Sequence, residues 1–165
     1  MPLATAYIAL GSNLGDRLGQ MQAALDQLGK RFVEVRQVSP IYVNRAIGMG
    51  AADPFFNAVA EVVTALQPLA LLARCLEVES QLGRVRSGEW APRTIDLDIA
   101  AFGDLELATE RLHVPHPRIE ERDFVLQPLQ DIAPDLRIRG QRVADLAARL
   151  PMDGLTRCDF CLHLP

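Results

Sequence analysis

The sequence predicts an α+β fold, a ferredoxin-like sandwich, on three observations. Segments of two-residue and helical apolar period follow in the order strand, helix, strand, strand, helix, strand. The two adjacent strand segments flank a Gly- and Ala-rich loop, as in a wide antiparallel hairpin. The last strand alternates apolar and charged residues, so one of its faces is packed and the other is not. Such an order gives a mostly antiparallel sheet with helices packed on one face.

Each element has its own signal. TAYIAL (5–10) alternates and is β-rich, and GSNLGD (11–16) is a turn cluster. Leu18, Met21, Leu25 and Leu28 then share one face of a helix that Gly29 ends. VEVRQVSPIYVN (33–44) is a strand interrupted by Pro40, at an edge or a bulge. RAIGMGAADP (45–54) is the loop, and FFNAVAEVVT (55–64) is the next strand. A second helix starts near Pro68, runs through Leu69, Leu72 and Leu76, and stops at Gly83. RVRSGEWAPR (84–93) is a charged loop, and TIDLDIAAFG (94–103) is a strand with Ile95, Leu97 and Ile99 on one side. Residues 111–129 give a proline-bounded strand end and a short helix, and VADLAARL (143–150) a late amphipathic helix. No repeat or linker divides the 165 residues, so a single domain spanning 1–165 is expected.

Composition narrows the function. With 49% hydrophobic and 23% charged residues, the chain reads as an ordinary soluble protein. No run of about 18 apolar residues is present, so no membrane partner is expected. The start, Met-Pro-Leu-Ala-Thr-Ala, is unlike a secretory leader, and the cytoplasm is the expected compartment. A net charge of −4 argues against a nucleic-acid surface. Lys30 is the only lysine and no Gly-x-x-x-x-Gly-Lys loop occurs, so any phosphate would be held by arginines. The three cysteines make no disulfide framework. Cys75 fits a core position, and Cys158-Asp-Phe-Cys161 with His163 falls short of the four ligands of a structural zinc site.

The chemistry concentrates at TIDLDI (94–99). Asp96 and Asp98, two apart on a strand, project side by side about 6.6–6.8 Å apart along the backbone. Hard oxygen ligands so placed suit Mg²⁺, which binds through one or two carboxylates plus substrate phosphates. Read alone, the pair also describes solvated carboxylates on an open sheet face, or two salt bridges. Arg84, Arg86 and Arg93 precede it, and Arg118 and Arg122 follow Pro115-His116-Pro117, whose prolines fix the backbone around the imidazole. His116 by itself could equally be structural.

Four segments, YIALGSNLGDR (7–17), FFNAV (55–59), LGRVRSGEWAPRTIDLDI (82–99) and VPHPRIEERDFVLQPLQDIAP (114–134), closely resemble the 6-hydroxymethyl-7,8-dihydropterin pyrophosphokinase family of folate biosynthesis. The resemblance covers about residues 5–138 and leaves 139–165 as a C-terminal extension. It implies a ferredoxin-like monomer that moves diphosphate from ATP to the pterin hydroxymethyl group and releases AMP. It implies two Mg²⁺ ions on Asp96 and Asp98, with Arg84 and Arg93 as further catalytic residues. It implies ATP contacts from Glu79, Arg84, Trp90, Arg93, His116 and Arg122. It implies pterin contacts from Asn44, Ile47, Phe55, Asn57, Trp90 and Phe124, with Phe55 and Phe124 sandwiching the ring and Trp90, Arg93 and Gly88 on a closing loop. From spacing alone, Glu79 also fits a solvated helix face, and the two phenylalanines fit the core.

The chain departs from the family pattern on the pterin side. Asn44-Arg45-Ala46 stands where Thr-x-Pro is usual, Ala52-Asp53-Pro54 where Asp-Gln-Pro is common, and Ala91 where a Gly follows the Trp. A two-metal phosphohydrolase could use the same acid pair, and a non-catalytic nucleotide- or pterin-binding relative is the third possibility.

Overall fold

In the computed structural model, residues 2–44, 54–83, 95–151 and 154–165 are described. A six-stranded sheet carries the fold. At its centre β1 (Ala4–Ser12) pairs antiparallel with β4 (Phe55–Thr64) on one side and with β5 (Asp96–Phe102) on the other. β2 (Val33–Val38) and β3 (Pro40–Asn44) pair with successive stretches of β4, and β10 (Leu155–Cys161) adds antiparallel to β3. The intervening strands form two small ribbons, β6 (Leu107–Ala108) with β7 (His113–Val114) and β8 (Arg137–Ile138) with β9 (Gln141–Arg142).

The expected interruption at Pro40 separates β2 from β3. Ser39 bridges the break: its amide donates to Val59 O at 2.9 Å, and its Oγ accepts the Val59 amide at 2.9 Å. A hydroxyl thus serves the ladder beside a residue that has no amide proton to give.

Helices cover both faces, one layer more than the sequence predicted. α1 (Arg17–Leu28) and α2 (Pro68–Gln81) pack Met21, Leu25, Leu28, Leu71 and Val78 against Ile8, Leu10, Leu97 and Ile99. On the opposite face α3 (Asp123–Ile132) and α4 (Val143–Ala148) pack Leu126, Leu129, Val143 and Leu146 against Tyr7, Val59 and Ala101. Among the described residues no helix is long and apolar enough to cross a membrane.

The α2 stripe read from the sequence is one step off. Leu71, Arg74, Cys75, Val78 and Glu79 are buried, while Leu69 is exposed and Leu72 and Leu76 are half-buried. Two charged residues on the inner face disguise the helical period. There Arg74 donates through its two terminal nitrogens, to Gln27 O and to Glu77 at 2.9 Å, while its buried Nε has no partner among the described residues. Cys75 is a core residue as expected, its thiol pushed up to about 12 by burial and then by Glu79 and Asp98.

Candidate active site

One transverse row of the sheet organises the site. Reading across the strands, Asp96 of β5 is opposite Gly11 of β1, Gly11 opposite Asn57 of β4, Asn57 opposite Tyr42 of β3, and Tyr42 opposite Arg157 of β10. Residues directly opposite in antiparallel pairs share a face. Two strand spacings put the Asp96 and Asn57 backbones about 10 Å apart. Gly11 fills that interval without a side chain. A Cβ on Gly11 would come 3.7 Å from Asn57 Oδ1 and 4.0 Å from the Phe55 ring.

Asp96 and Asp98 are half-buried on this face, and Ile95, Leu97 and Ile99 are fully buried on the other, as the alternation predicted. β5 is an edge strand, so its outer backbone groups need partners from elsewhere. Glu79 supplies one: its carboxylate accepts the amide of Leu97, the residue between the two aspartates, at 2.7 Å. With 3% of its surface exposed, Glu79 is not on a solvated helix face.

His116 supplies the next. The β1–β5 register steps from Ile8↔Ile99 to Tyr7↔Ala101, leaving Ala100 as a bulge residue. Its carbonyl accepts the His116 amide at 2.9 Å. Bulges re-aim strand backbone beside functional sites, and here the bulge anchors the Pro-His-Pro segment next to the acid strand. The His116 ring is oriented too, since Nδ1 accepts the Arg118 amide at 3.2 Å, which puts the proton of the neutral ring on Nε2. Burial first, then Arg122 and Arg118 with a smaller pull from Arg139, together bring the imidazole down to about 4 against the opposing Asp96. The surroundings of His116 are therefore electropositive, suited to phosphate oxygens.

The pterin side implied by the resemblance is held by side chains. Asn57 Nδ2 donates to Asn44 Oδ1 at 2.7 Å and lies 3.3 Å from Tyr42 O, leaving Oδ1 toward Gly11. Asn44 thus has a structural task, orienting the Asn57 amide. Phe55 and Phe124 are half-buried rather than core, and the Arg122 guanidinium lies 5.6 Å from the Phe124 ring. Arg17, at the start of α1, donates to Pro54 O at 2.8 Å and stacks 4.0 Å over Phe56, fixing the entry to β4.

The described structure therefore brings Glu79, Asp96, Asp98, His116 and Arg122 to one end of the row, and Asn44, Phe55 and Asn57 to the other, with α3 packed across β3 and β4 and its Phe124 beside Arg122. Arg84, Trp90, Arg93 and Ile47 lie outside the described residues, as do Arg86, Gly88 and Ala91. Gly11, Arg17, Tyr42 and Asp131 went unnoticed as site residues, although the first two fall in the YIALGSNLGDR segment. Among the described residues no group of three or more His, Cys, Asp or Glu is placed to hold a metal ion, so a cation on Asp96 and Asp98 would need its other ligands from elsewhere.

Comparison with known proteins agrees with this geometry. Residues 7–134 match the model of the family described as 7,8-dihydro-6-hydroxymethylpterin-pyrophosphokinase (HPPK). The chain belongs to the HPPK family. It is 46% identical over 154 residues to the 2-amino-4-hydroxy-6-hydroxymethyldihydropteridine pyrophosphokinase of Pseudomonas aeruginosa, covering 92% of this chain and 94% of that one. It is 45% identical over 128 residues to the Bacillus subtilis protein of the same name, covering 77% of each. A crystal structure of Plasmodium falciparum HPPK-DHPS, with pterin and p-hydroxybenzoate, shares the fold with a TM-score of 0.71 at 15% identity, covering 95% of this chain and 45% of that one. Every residue of the transverse row from Asp96 to Tyr42 falls inside the HPPK match, and Arg157 lies beyond it.

Proposed function

We infer that this chain is an ATP-dependent pyrophosphokinase. It transfers diphosphate from ATP to the hydroxymethyl oxygen of 6-hydroxymethyl-7,8-dihydropterin, giving the pterin diphosphate and AMP, a step of folate biosynthesis. The single observation that carries this reading is the row Asp96–Gly11–Asn57, which sets the half-buried acid strand and the Asn57 amide about 10 Å apart on one sheet face with only a glycine between them.

In the transfer, the pterin hydroxyl oxygen attacks the β-phosphorus and loses its proton to solvent, the bond from that phosphorus to the α,β-bridging oxygen breaks, and AMP leaves. Catalysis of such a step is largely positioning and charge stabilisation. Asp96 and Asp98 would hold Mg²⁺, which neutralises phosphate charge during in-line displacement. His116 serves as a donor rather than a base, because Nδ1 is taken by Arg118 and Nε2 carries the proton. Arg122, with Arg84 and Arg93, offsets charge on the triphosphate, and a guanidinium does so without titrating. Asn57 reads the pterin edge, Phe55 and Phe124 stack on its faces, and Asn44 orients Asn57. Ile47 and Trp90 complete the pterin side, and Glu79 acts on the ATP side by fixing the acid strand. The protein works as a single-domain cytoplasmic monomer on two small molecules, with no nucleic-acid partner.

Incubating the purified chain with Mg²⁺, ATP and the pterin tests the reading. AMP formed only when pterin is present supports it. Phosphate released without pterin would point to a hydrolase, and no turnover to a binding protein.

A further inference from the structure

The last strand lies beyond the HPPK match yet touches the site's row. β10 pairs Leu155 with Asn44, Thr156 with Val43 and Arg157 with Tyr42, then bulges before pairing Cys161 with Pro40. Its far end is moored on the opposite helical layer. Leu162 is buried in the α1–α2 core, Gln22 exchanges two hydrogen bonds with the His163 backbone at 2.8 and 2.9 Å, and Pro165 packs on Gly29, where a Cβ would come within 2.9 Å of its ring. Gly29 has an ordinary helical φ of −73°, so its lack of a side chain serves this close approach.

On the α3 face the same strand joins a polar cluster. The Tyr42 hydroxyl, on a residue 3% exposed, donates to Asp131 Oδ2 at 2.5 Å, and Arg157 Nε lies 3.7 Å from that oxygen. Three elements meet there: β3, α3 and β10. Asn44 is two residues along β3 from Tyr42, on the same strand face. Phe124 is about two turns back along α3 from Asp131. Whatever sets the spacing of Tyr42 and Asp131 also sets the spacing of Asn44 and Asn57 from Phe124.

We propose that β10 and the Tyr42–Asp131–Arg157 cluster form a brace that fixes β3 against α3, making these three side chains positioning residues for pterin affinity. The proposal rests on the pyrophosphokinase reading of the pterin side. A surface ion pair such as Arg157–Asp131 contributes little alone. The buried hydroxyl bond and the strand pairing hold the geometry, and Arg157 completes it.

The test uses full-length Tyr42→Phe and Asp131→Ala, with Asp131→Asn as the conservative variant. Affinity for 6-hydroxymethyl-7,8-dihydropterin is measured with Mg²⁺ and a non-hydrolysable ATP analogue present, and affinity for the analogue is measured separately. The brace predicts that Tyr42→Phe and Asp131→Ala weaken pterin binding about tenfold by loss of preorganisation. Analogue affinity should stay within about twofold, with Asp131→Asn recovering most of the loss because it still accepts the hydroxyl proton. Unchanged pterin affinity in both variants overturns the brace, and so does an equal weakening of pterin and nucleotide, which marks a merely structural role. Failure of the parent protein to bind the pterin overturns the underlying reading instead, and is distinguishable because it shows before any substitution.

Discussion

Asp96 and Asp98 ride on a strand fixed through its backbone at both edges, whereas Asn57 and Asn44 are fixed to each other through their side chains. On one edge β5 has the β1 ladder, and on the other it has Glu79 at the Leu97 amide and His116 at the Ala100 carbonyl. The end proposed for the pterin is held by the Asn44–Asn57 bond, the Arg17 clamp on Pro54 and Phe56, and the Tyr42–Asp131 contact. Backbone anchoring leaves the anchored residues no alternative partner. Side-chain anchoring can be rebuilt with a different pair, and here the Asn44 Oδ1 serves as the acceptor that orients Asn57.

That contrast can be broken from either end. The largest effect is expected at the acid pair: Asp96→Asn and Asp98→Asn should each lower AMP formation by about a thousandfold or more, as removal of a metal ligand and of fixed charge implies. Circular dichroism melting should show each fold intact, because both side chains are half-buried on the site face. Next, Asn57→Ala should raise KM for the pterin by roughly ten- to a hundredfold, the cost of a lost buried amide contact. Steady-state kinetics should show KM for ATP little changed. Third, Glu79→Ala leaves the Leu97 amide without its acceptor, and should lower stability by about 1–3 kcal/mol in urea unfolding. The same variant should lower kcat more than it raises KM for the pterin, since the disturbed strand is the acid-bearing one.

The smallest effect is the pH response of the free protein through His116. Its folded-state value of about 4 lies below the ordinary 6.5, so between those values the unfolded chain binds the extra proton. The stability it contributes is present above pH 6.5 and is lost as pH falls through about 4. Urea unfolding of His116→Asn compared with wild type should show a flatter decline across that window. An identical decline would mean that the arginines and burial around His116 do not act on the ring as described.

The parts of the molecule legible in the sequence are those where chemistry and burial share a period. Alternation at 95–99 gave the faces of β5 correctly because one face is core and the other is site. The Met21–Leu25–Leu28 stripe held for the same reason. Glu79 was ambiguous because a carboxylate on a helix normally marks the wet side, and only the fold shows that a β-edge amide receives it. Arg74 and Glu79 on the inner face of α2 displaced the apparent leucine stripe in the same way. The bulge at Ala100 has no sequence mark, since an alanine fits a regular strand equally well. β10 was invisible because LTRCDFC lies at a sheet edge with most of its side chains exposed, so no apolar alternation was required of it. Spacing and neighbouring arginines singled out the acid pair and His116, the family resemblance added Asn57 and the phenylalanines, and the alignment of Asp96, Gly11 and Asn57 in one sheet row follows only from strand register.

The most direct test of this division of labour is a side-by-side titration of a non-hydrolysable ATP analogue, with Mg²⁺, into Asp96→Asn and Asn57→Ala proteins. Asp96→Asn should lose the Mg²⁺-dependent part of nucleotide affinity, and Asn57→Ala should bind the analogue as wild type does. Equal nucleotide affinity in the two variants would contradict a site whose phosphate and pterin ends are carried by separate strands of one row.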